Sequence, residues 1–274
     1  MDASDIALFE AFLQGWMERQ RDYLDELITA QRHYHELQED EIKQLINRVL
    51  NHYGQYFEEK SKIAQQDIIL VFSPPWFSSL EKGFYWVGGF KPGMSFQLVN
   101  SAVPDLSETQ KGRLTYLKQV TKVKERGIND DLAKLHEGWG APPLLEMVRS
   151  HGRMCVTNSF HFRAADGTVP SSYKEKLEKM VASADALRTN TALKVVQILT
   201  PPQILAFLVG VAQFQIRVRT FGMDKDAQDA GLSRLAWMMR IGQCACSAFD
   251  GEVVVVVVVV CPKYCFSVPN KFLW

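Results

Sequence analysis

This sequence lacks an excess of either charge. Lys+Arg and Asp+Glu each number 31 in 274 residues, so the formal net charge is zero. Without a global positive field there is nothing to attract a phosphate backbone at long range, which argues against autonomous DNA binding. Cysteine is scarce: there are five, an odd number, and no N-x-[ST] acceptor occurs. That usage fits a reducing compartment rather than a secreted disulfide scaffold. No basic stretch leading into an apolar core opens the sequence, and no apolar run approaches the roughly 20 residues a membrane-spanning helix needs. The expectation is an intracellular protein of the nucleus or cytoplasm, away from membranes. A nucleophile elbow, a phosphate-binding glycine loop, an H-E-x-x-H pair and a paired-acid motif are also missing, so nothing points to an enzyme.

What the sequence does contain is helical periodicity. Ile6, Phe9, Leu13, Trp16, Leu24, Leu27 and Ile28 mark one face of a first long helix, and Ile42, Leu45, Ile46, Val49, Tyr53 and Phe57 mark a second. Ser107-Glu108-Thr109-Gln110 is a capping box that opens a helix through Leu114, Leu117 and Val120, and Ser172 to Glu175 repeats the device ahead of a helix toward Leu199. Thr200-Pro201-Pro202-Gln203 combines a hydroxyl cap, proline in the first turn and glutamine at the third position. From there a stripe of Leu205, Leu208, Val211 and Ala212 becomes polar at Gln215 and Arg219, and Gly222 reads as its stop. Between Glu137 and Val169 glycines and prolines break the pattern, leaving one short helix at Leu144 to Arg149. The expected fold is all-α, a multi-helix bundle of long amphipathic helices, with its domain over residues 4–222 and a variable connection near 137–171.

The stretch DIILVFSPPWFSSLEKGFYWVGGFKP, Asp67 to Pro92, concentrates aromatics. Ser73-Pro74-Pro75 reads as the end of one helix and the start of another. Trp76, Leu80, Phe84 and Val87 then follow at helical spacing and Gly88-Gly89 closes the segment, which predicts an aromatic core helix. Tyr53, Phe57, Trp76, Phe84, Trp86 and Phe90 form the candidate wall of an apolar ligand or partner pocket. A stripe of this composition also suits plain core.

Four blocks, ERQRDYLDEL, HYGQYFEEKSKIAQQD, SPPWFSSLEKGFYWVGGFKP and ADALRTNTALKVVQILTPPQILAFL, occur in that order. Together they resemble the plant Delay of Germination domain, which is itself similar to the C-terminal half of the TGA bZIP transcription factors. The resemblance covers about residues 9–102 and 172–222. It implies an all-helical regulatory domain in proteins linked to transcription, seed dormancy and development. Such a domain works through partner proteins, such as transcription factors or phosphatases, or through a second copy of itself. TGA factors contact DNA through a basic helix and zipper ahead of the shared domain, whereas this sequence opens with the amphipathic SDIALFEAFLQGW, so no DNA-reading module is expected. Heme binding through histidines of the last family helix, proposed for some relatives, does not carry over. The matching stretch FQIRVRTFG has Gln215 and Arg219 where ligands would be wanted, and neither is an axial ligand.

Beyond Gly222 the resemblance ends, and Val253 to Val260 form an unbroken valine tract. Residues 223–274 read as an atypical low-complexity tail, disordered or a gene-model artefact, with the valine tract either a real appended strand or, the favoured reading, a translated non-coding repeat. Cys244, Cys246, Cys261 and Cys265 lie in that tail at a spacing unlike a zinc knuckle, and Cys155 near His151 and His161 lacks any oxyanion motif. His33 and His35, two apart on a helix, cannot share a metal. Lys118, Lys122, Lys124 and Arg126 read as a solvated helix face rather than an import signal. Neither cofactor nor metal is expected. The functional reading is a non-enzymatic regulator acting through protein contacts, with an apolar small-molecule sensor as the alternative.

Overall fold

Most helices of this chain begin where a side chain takes up backbone N–H groups that have no partner inside the helix. The computed structural model describes residues 3–140 and 171–246, and among them are eight helices and one two-stranded hairpin. The fold is all-α. In order come α1 (Ala3–Arg32), α2 (Glu39–Gln66), α3 (Ile68–Phe72), α4 (Ser79–Gly83), β1 (Tyr85–Trp86), β2 (Gly89–Phe90), α5 (Met94–Ala102), α6 (Glu108–Gly140), α7 (Ser171–Ile198) and α8 (Pro201–Cys246). The chain divides into two units, Met1–Asp224 and Lys225–Trp274. Of the second, the described residues Lys225–Cys246 are all helical.

At Ser107 the expected capping box forms. The Gln110 N–H donates to Ser107 Oγ at 3.2 Å and the Ser107 N–H donates to Gln110 Oε1 at 3.0 Å. At Thr200 the backbone N–H donates to Gln203 Oε1 at 3.1 Å. The two cap glutamines also meet, since Gln110 Nε2 donates to Gln203 Oε1 at 2.7 Å and to the Ile198 carbonyl at 3.0 Å. One polar contact thus ties the starts of α6 and α8 to the end of α7. Asp67 caps α3 by accepting from the Ile69 N–H at 2.9 Å. The helix toward Leu199 already includes Ser171, so Ser172 lies inside it rather than at its cap.

Long helices then pair through apolar stripes into two stacked layers of core. One layer gathers Leu27, Val49, Val99, Leu117, Val195 and Leu205; the other gathers Phe9, Trp16, Ile68, Val71, Val181 and Ala184. α1, α2, α6 and α7 pass through both. α6 and α7 run antiparallel, with Gln110 at Ile198, Thr121 Oγ1 3.4 Å from Thr191 Oγ1, and Leu135 in the same layer as Leu177. The stretch Pro201–Gly231 of α8 is long and apolar enough, by length and composition alone, to cross a membrane. Within the first unit, its Leu205, Phe207, Leu208 and Ala212 are buried in core.

Two expectations are corrected. The segment from Trp76 to Val87 is not one helix: the prolines at 74 and 75 lead into turns, Ser78 starts the five-residue α4, and the chain then reverses in the β1–β2 hairpin. Its two-residue turn places Val87 at φ 39° and Gly88 at φ 78°, so both central residues are left-handed as a tight hairpin requires. Nor does Gly222 stop α8, which continues to Cys246. A Cβ on Gly222 would lie 2.2 Å from Ser78 Oγ and 2.8 Å from Ser78 Cβ, so the missing side chain permits close packing of helix on turn. The short helix expected at Leu144 to Arg149, Cys155, His151, His161, the valine tract, Cys261 and Cys265 all lie outside the described residues; for Cys244 and Cys246 only the helical backbone is described.

Ser78 cannot give way easily, because its backbone N–H and its hydroxyl both donate to Glu81 Oε2 at 2.8 Å. Gly222→Ala should therefore destabilise by about 1–3 kcal/mol. Gly112→Ala, on α6 with nothing within 4 Å of its added carbon, should stabilise by about 0.4–1 kcal/mol. Urea unfolding of the two variants checks this, and equal effects would show that α8 does not need the close approach at Ser78.

Candidate functional site

The hairpin has only two residue pairs of ladder, Tyr85 with Phe90 and Trp86 with Gly89, so most of its carbonyls must find partners elsewhere. They find two buried cations. Arg188 of α7 donates from Nε to the Phe90 carbonyl at 2.7 Å and from Nη2 to the Val87 carbonyl at 2.8 Å and to the Trp86 carbonyl. Lys60 of α2, 3% exposed, donates to the Gly88 carbonyl at 2.8 Å. Both cations lean on one carboxylate, Asp185, each at 2.6 Å. A guanidinium suits this task because its planar fork serves several acceptors at once. Tyr85 adds its hydroxyl, donating to the Val71 carbonyl at 2.5 Å.

Beside this brace lies a cavity of about 460 Å³ in the first unit, walled by α1, α2, the hairpin, α5, α7 and α8. A volume of that order is typical of small-molecule sites. Its wall is mainly apolar, with Leu50, Leu98, Val196, Leu208, Val211 and Phe214, and is interrupted by Lys60, Arg188, Gln215 and Arg219. Gln215 and Arg219 stand one turn apart on α8, so the polar end of that helix stripe faces the cavity. Gln215 Oε1 accepts from the Tyr53 hydroxyl at 3.0 Å and from Gln20 Nε2 at 3.1 Å. Arg219 pairs with the buried Glu81 at 3.2 Å and donates to the Trp76 carbonyl at 3.3 Å.

Of the six aromatic residues singled out in the sequence, Tyr53, Phe57 and Phe90 line the cavity, and Trp76, Phe84 and Trp86 do not. Trp76 is core, 4.6 Å from Phe9 ring to ring. Phe84 is exposed and meets Phe214 edge-on at 5.7 Å. Trp86 is half-buried, donates to Asn129 Oδ1 at 2.7 Å and lies 5.3 Å from the Arg188 guanidinium. Sequence reasoning missed Lys60, Asp185 and Arg188. The only signal available was charge at apolar-face positions: Lys60 falls three residues before Ile63 on one face of α2, and Arg188 sits beside Leu187 and Ala184. Among the described residues no group of three or more His, Cys, Asp or Glu is placed to hold a metal.

Burial sets the protonation of this region. Burial pulls Lys60 down to about 8, helped by the Arg188 charge and opposed by Asp185. Burial likewise raises Tyr53, Tyr56 and Tyr85 and lowers Arg188, which Asp185 holds back. His52, 2% exposed and stacked on Trp16 at 4.4 Å, falls to about 4 through burial and then the Arg19 charge. Among the described residues neither ring nitrogen of His52 has a hydrogen-bond partner, so the neutral ring is the form the core admits.

Residues 23–101 match the family described as seed dormancy control, DOG1. The chain is 34% identical to Protein ZW2 of Arabidopsis thaliana, over 80% of this chain and 98% of that protein. It is 32% identical to Protein RESPONSE TO ABA AND SALT 1 of the same plant, over 84% and 99%. Transcription factor TGA3, also from Arabidopsis thaliana, is 30% identical over 79% of this chain and 54% of its own length.

The protonation pattern predicts an asymmetric stability profile. Lys60 binds its proton more weakly in the folded protein than in the unfolded chain, so stability should rise between about pH 8 and 10.5, by up to ~3 kcal/mol. The raised tyrosines act oppositely above about pH 10, because only the unfolded chain ionises them readily. His52 withdraws stability as pH falls from 6.5 toward 4. Urea midpoints across pH 4–11 should peak near pH ~9–10, and Lys60→Met should flatten the rise from pH 8. A profile that falls steadily above pH 8 would mean Lys60 is not held as a depressed base.

Proposed function

The chain belongs to the DOG1 seed-dormancy-control family, a plant regulatory family with TGA transcription factors among its relatives, and from that premise we propose that it is a non-enzymatic regulator acting through protein contacts. The observation that supports this reading is coverage. The match takes in nearly the whole of Protein ZW2 and of RESPONSE TO ABA AND SALT 1, and about half of TGA3. The helical domain therefore recurs both nearly alone and within a longer transcription factor, as expected of a module that adds regulation to a DNA reader. The partners we propose are transcription factors, phosphatases or a second copy of the chain, met in the nucleus or cytoplasm, in transcriptional or developmental control of the dormancy type.

A second reading has its own support in the cavity. An apolar space of about 460 Å³ with a few polar groups in its wall suits a small apolar molecule with a polar tip. On this reading the domain senses that molecule and adjusts its protein contacts.

Two experiments separate the readings. Selection from a random-sequence DNA pool with the purified chain alone should return no motif, while adding a TGA-type factor that binds the chain should return only that factor's own motif. A motif recovered by the chain alone overturns the partner-dependent reading, since specific sites typically bind about 1,000-fold or more above background. Native mass spectrometry with decanol should show saturable one-to-one occupancy that Gly54→Phe, at an open cavity-wall position, removes. Binding that survives the plug excludes the cavity as the sensor site.

A further inference from the structure

The second reading is the base from which the chemistry of the cavity wall goes further. We propose that Lys60 is a covalent capture site for an apolar aldehyde held in the cavity, its amine forming an imine with the ligand's carbonyl carbon. This rests on the cavity taking an apolar small molecule.

Several features meet at this one nitrogen. Lys60 is a wall residue of the cavity, almost wholly buried, with Nζ 5.0 Å from the centre of the Phe57 ring, another wall residue. The neighbouring charges are two cations, Lys60 and Arg188, against the single carboxylate of Asp185. An ammonium in an apolar wall beside a guanidinium sheds its proton more readily than one in water, and a desolvated lysine near a second cation is how amine nucleophiles are activated. The depressed proton affinity of Lys60 agrees with that geometry. The charges that act on it are Asp185 and Arg188 on α7; Tyr56 on its own helix lies 6.0 Å from Nζ, and Glu81 of α4, Tyr85 of β1, Lys91 and Arg219 of α8 share the cavity wall. Among the described residues Asp185, at 2.6 Å, is the only carboxylate in hydrogen-bond contact with the amine, so it is the group to accept and return the proton.

The step balances without an oxidant or reductant. The neutral amine's lone pair attacks the carbonyl carbon, a C–N bond forms, and the C=O π pair moves to oxygen. A proton passes from nitrogen to that oxygen by way of Asp185, giving a carbinolamine. The nitrogen's remaining proton then passes by way of Asp185 to the hydroxyl, which leaves as water while the nitrogen lone pair closes the C=N bond. One amine and one aldehyde become one imine and one water. The aldehyde tail lies along the apolar wall made by Leu50, Leu98 and Val211. An imine nitrogen no longer offers the donors that Lys60 aims at the Gly88 carbonyl and Asp185, so capture alters the hairpin brace itself.

The test uses the full chain, decanal as probe and sodium cyanoborohydride to trap the imine as a stable secondary amine, followed by peptide mapping. Lys60 should be alkylated about tenfold faster than any exposed lysine at pH ~8, where an ordinary lysine is almost wholly protonated. Lys60→Arg, which keeps the cation at the brace, should abolish that adduct and leave surface labelling unchanged. Because this variant can disturb the hairpin, Gly54→Phe serves as the second arm: it leaves Lys60 in place, fills the cavity and should also suppress the adduct. Decanol should compete. Labelling spread over exposed lysines without Lys60 overturns the proposal. If decanal or decanol still occupies the cavity one-to-one while Lys60 stays unlabelled, capture fails and the sensor reading stands. If neither molecule binds, both fail.

Discussion

Four inward carbonyls of one short hairpin set the terms for much of this fold. A buried carbonyl left without a donor costs about 1–3 kcal/mol, and several together would consume much of the roughly 5–15 kcal/mol by which a domain is stable. Two residue pairs of ladder cannot satisfy Trp86, Val87, Gly88 and Phe90. Lys60 and Arg188 do so from two different helices, separated from the hairpin by 28 residues on one side and about 100 on the other. The hairpin's carbonyls are therefore satisfied only where α2 and α7 pack against it, and the Lys60–Asp185 pair joins those two helices directly.

That dependence explains how Val87 tolerates its backbone. A β-branched residue at positive φ carries about 1–3 kcal/mol of strain and persists only where its surroundings over-determine it. Here the Val87 carbonyl is held by Arg188 and its side chain is buried in the second core layer. A Cβ on the next residue, Gly88, would lie 3.2 Å from both Val71 and Val181, so glycine is required there for space as well as for conformation. Two left-handed residues in succession let the strands reverse within that space. The same tight fit recurs at Gly222 and Ser78, where Glu81 and Arg219 lock the turn that α8 packs against.

Local chemistry was legible in the sequence and distant chemistry was not. Ser107 with Gln110, and Thr200 with Gln203, announce helix starts because cap and partner sit three residues apart, and the stripes of α1 and α2 follow from period alone. The aromatic stretch misled for the same reason: Trp76, Leu80, Phe84 and Val87 satisfy helical spacing, but the carbonyl donors that stabilise a reversal there come from Lys60 and Arg188, which no local window contains. Tyr53, Phe57 and Phe90 line the cavity while Trp76, Phe84 and Trp86 do not, because aromatic composition alone does not separate wall from core or surface. A lysine reads as surface until the fold buries it, so Lys60 could emerge only from the packed chain.

Two cations, Lys60 and Arg188, share the one carboxylate of Asp185 at the edge of an apolar cavity. Burial weakens the hold of both cations on their protons, but only the ammonium gives one up within the range a protein can impose. The charge state of Lys60 is therefore the adjustable quantity in the brace. It governs how firmly the Gly88 carbonyl is held, while Arg188 continues to hold the carbonyls on either side and to sit against Trp86. Trp86 is half-buried and Phe84, just before the hairpin, is exposed, so this segment also presents aromatic surface. Tyr85, Gly89 and Phe90 of the hairpin line the cavity, so a molecule held there would touch the element that also carries the half-buried Trp86, and the sensor and protein-contact readings meet on one hairpin.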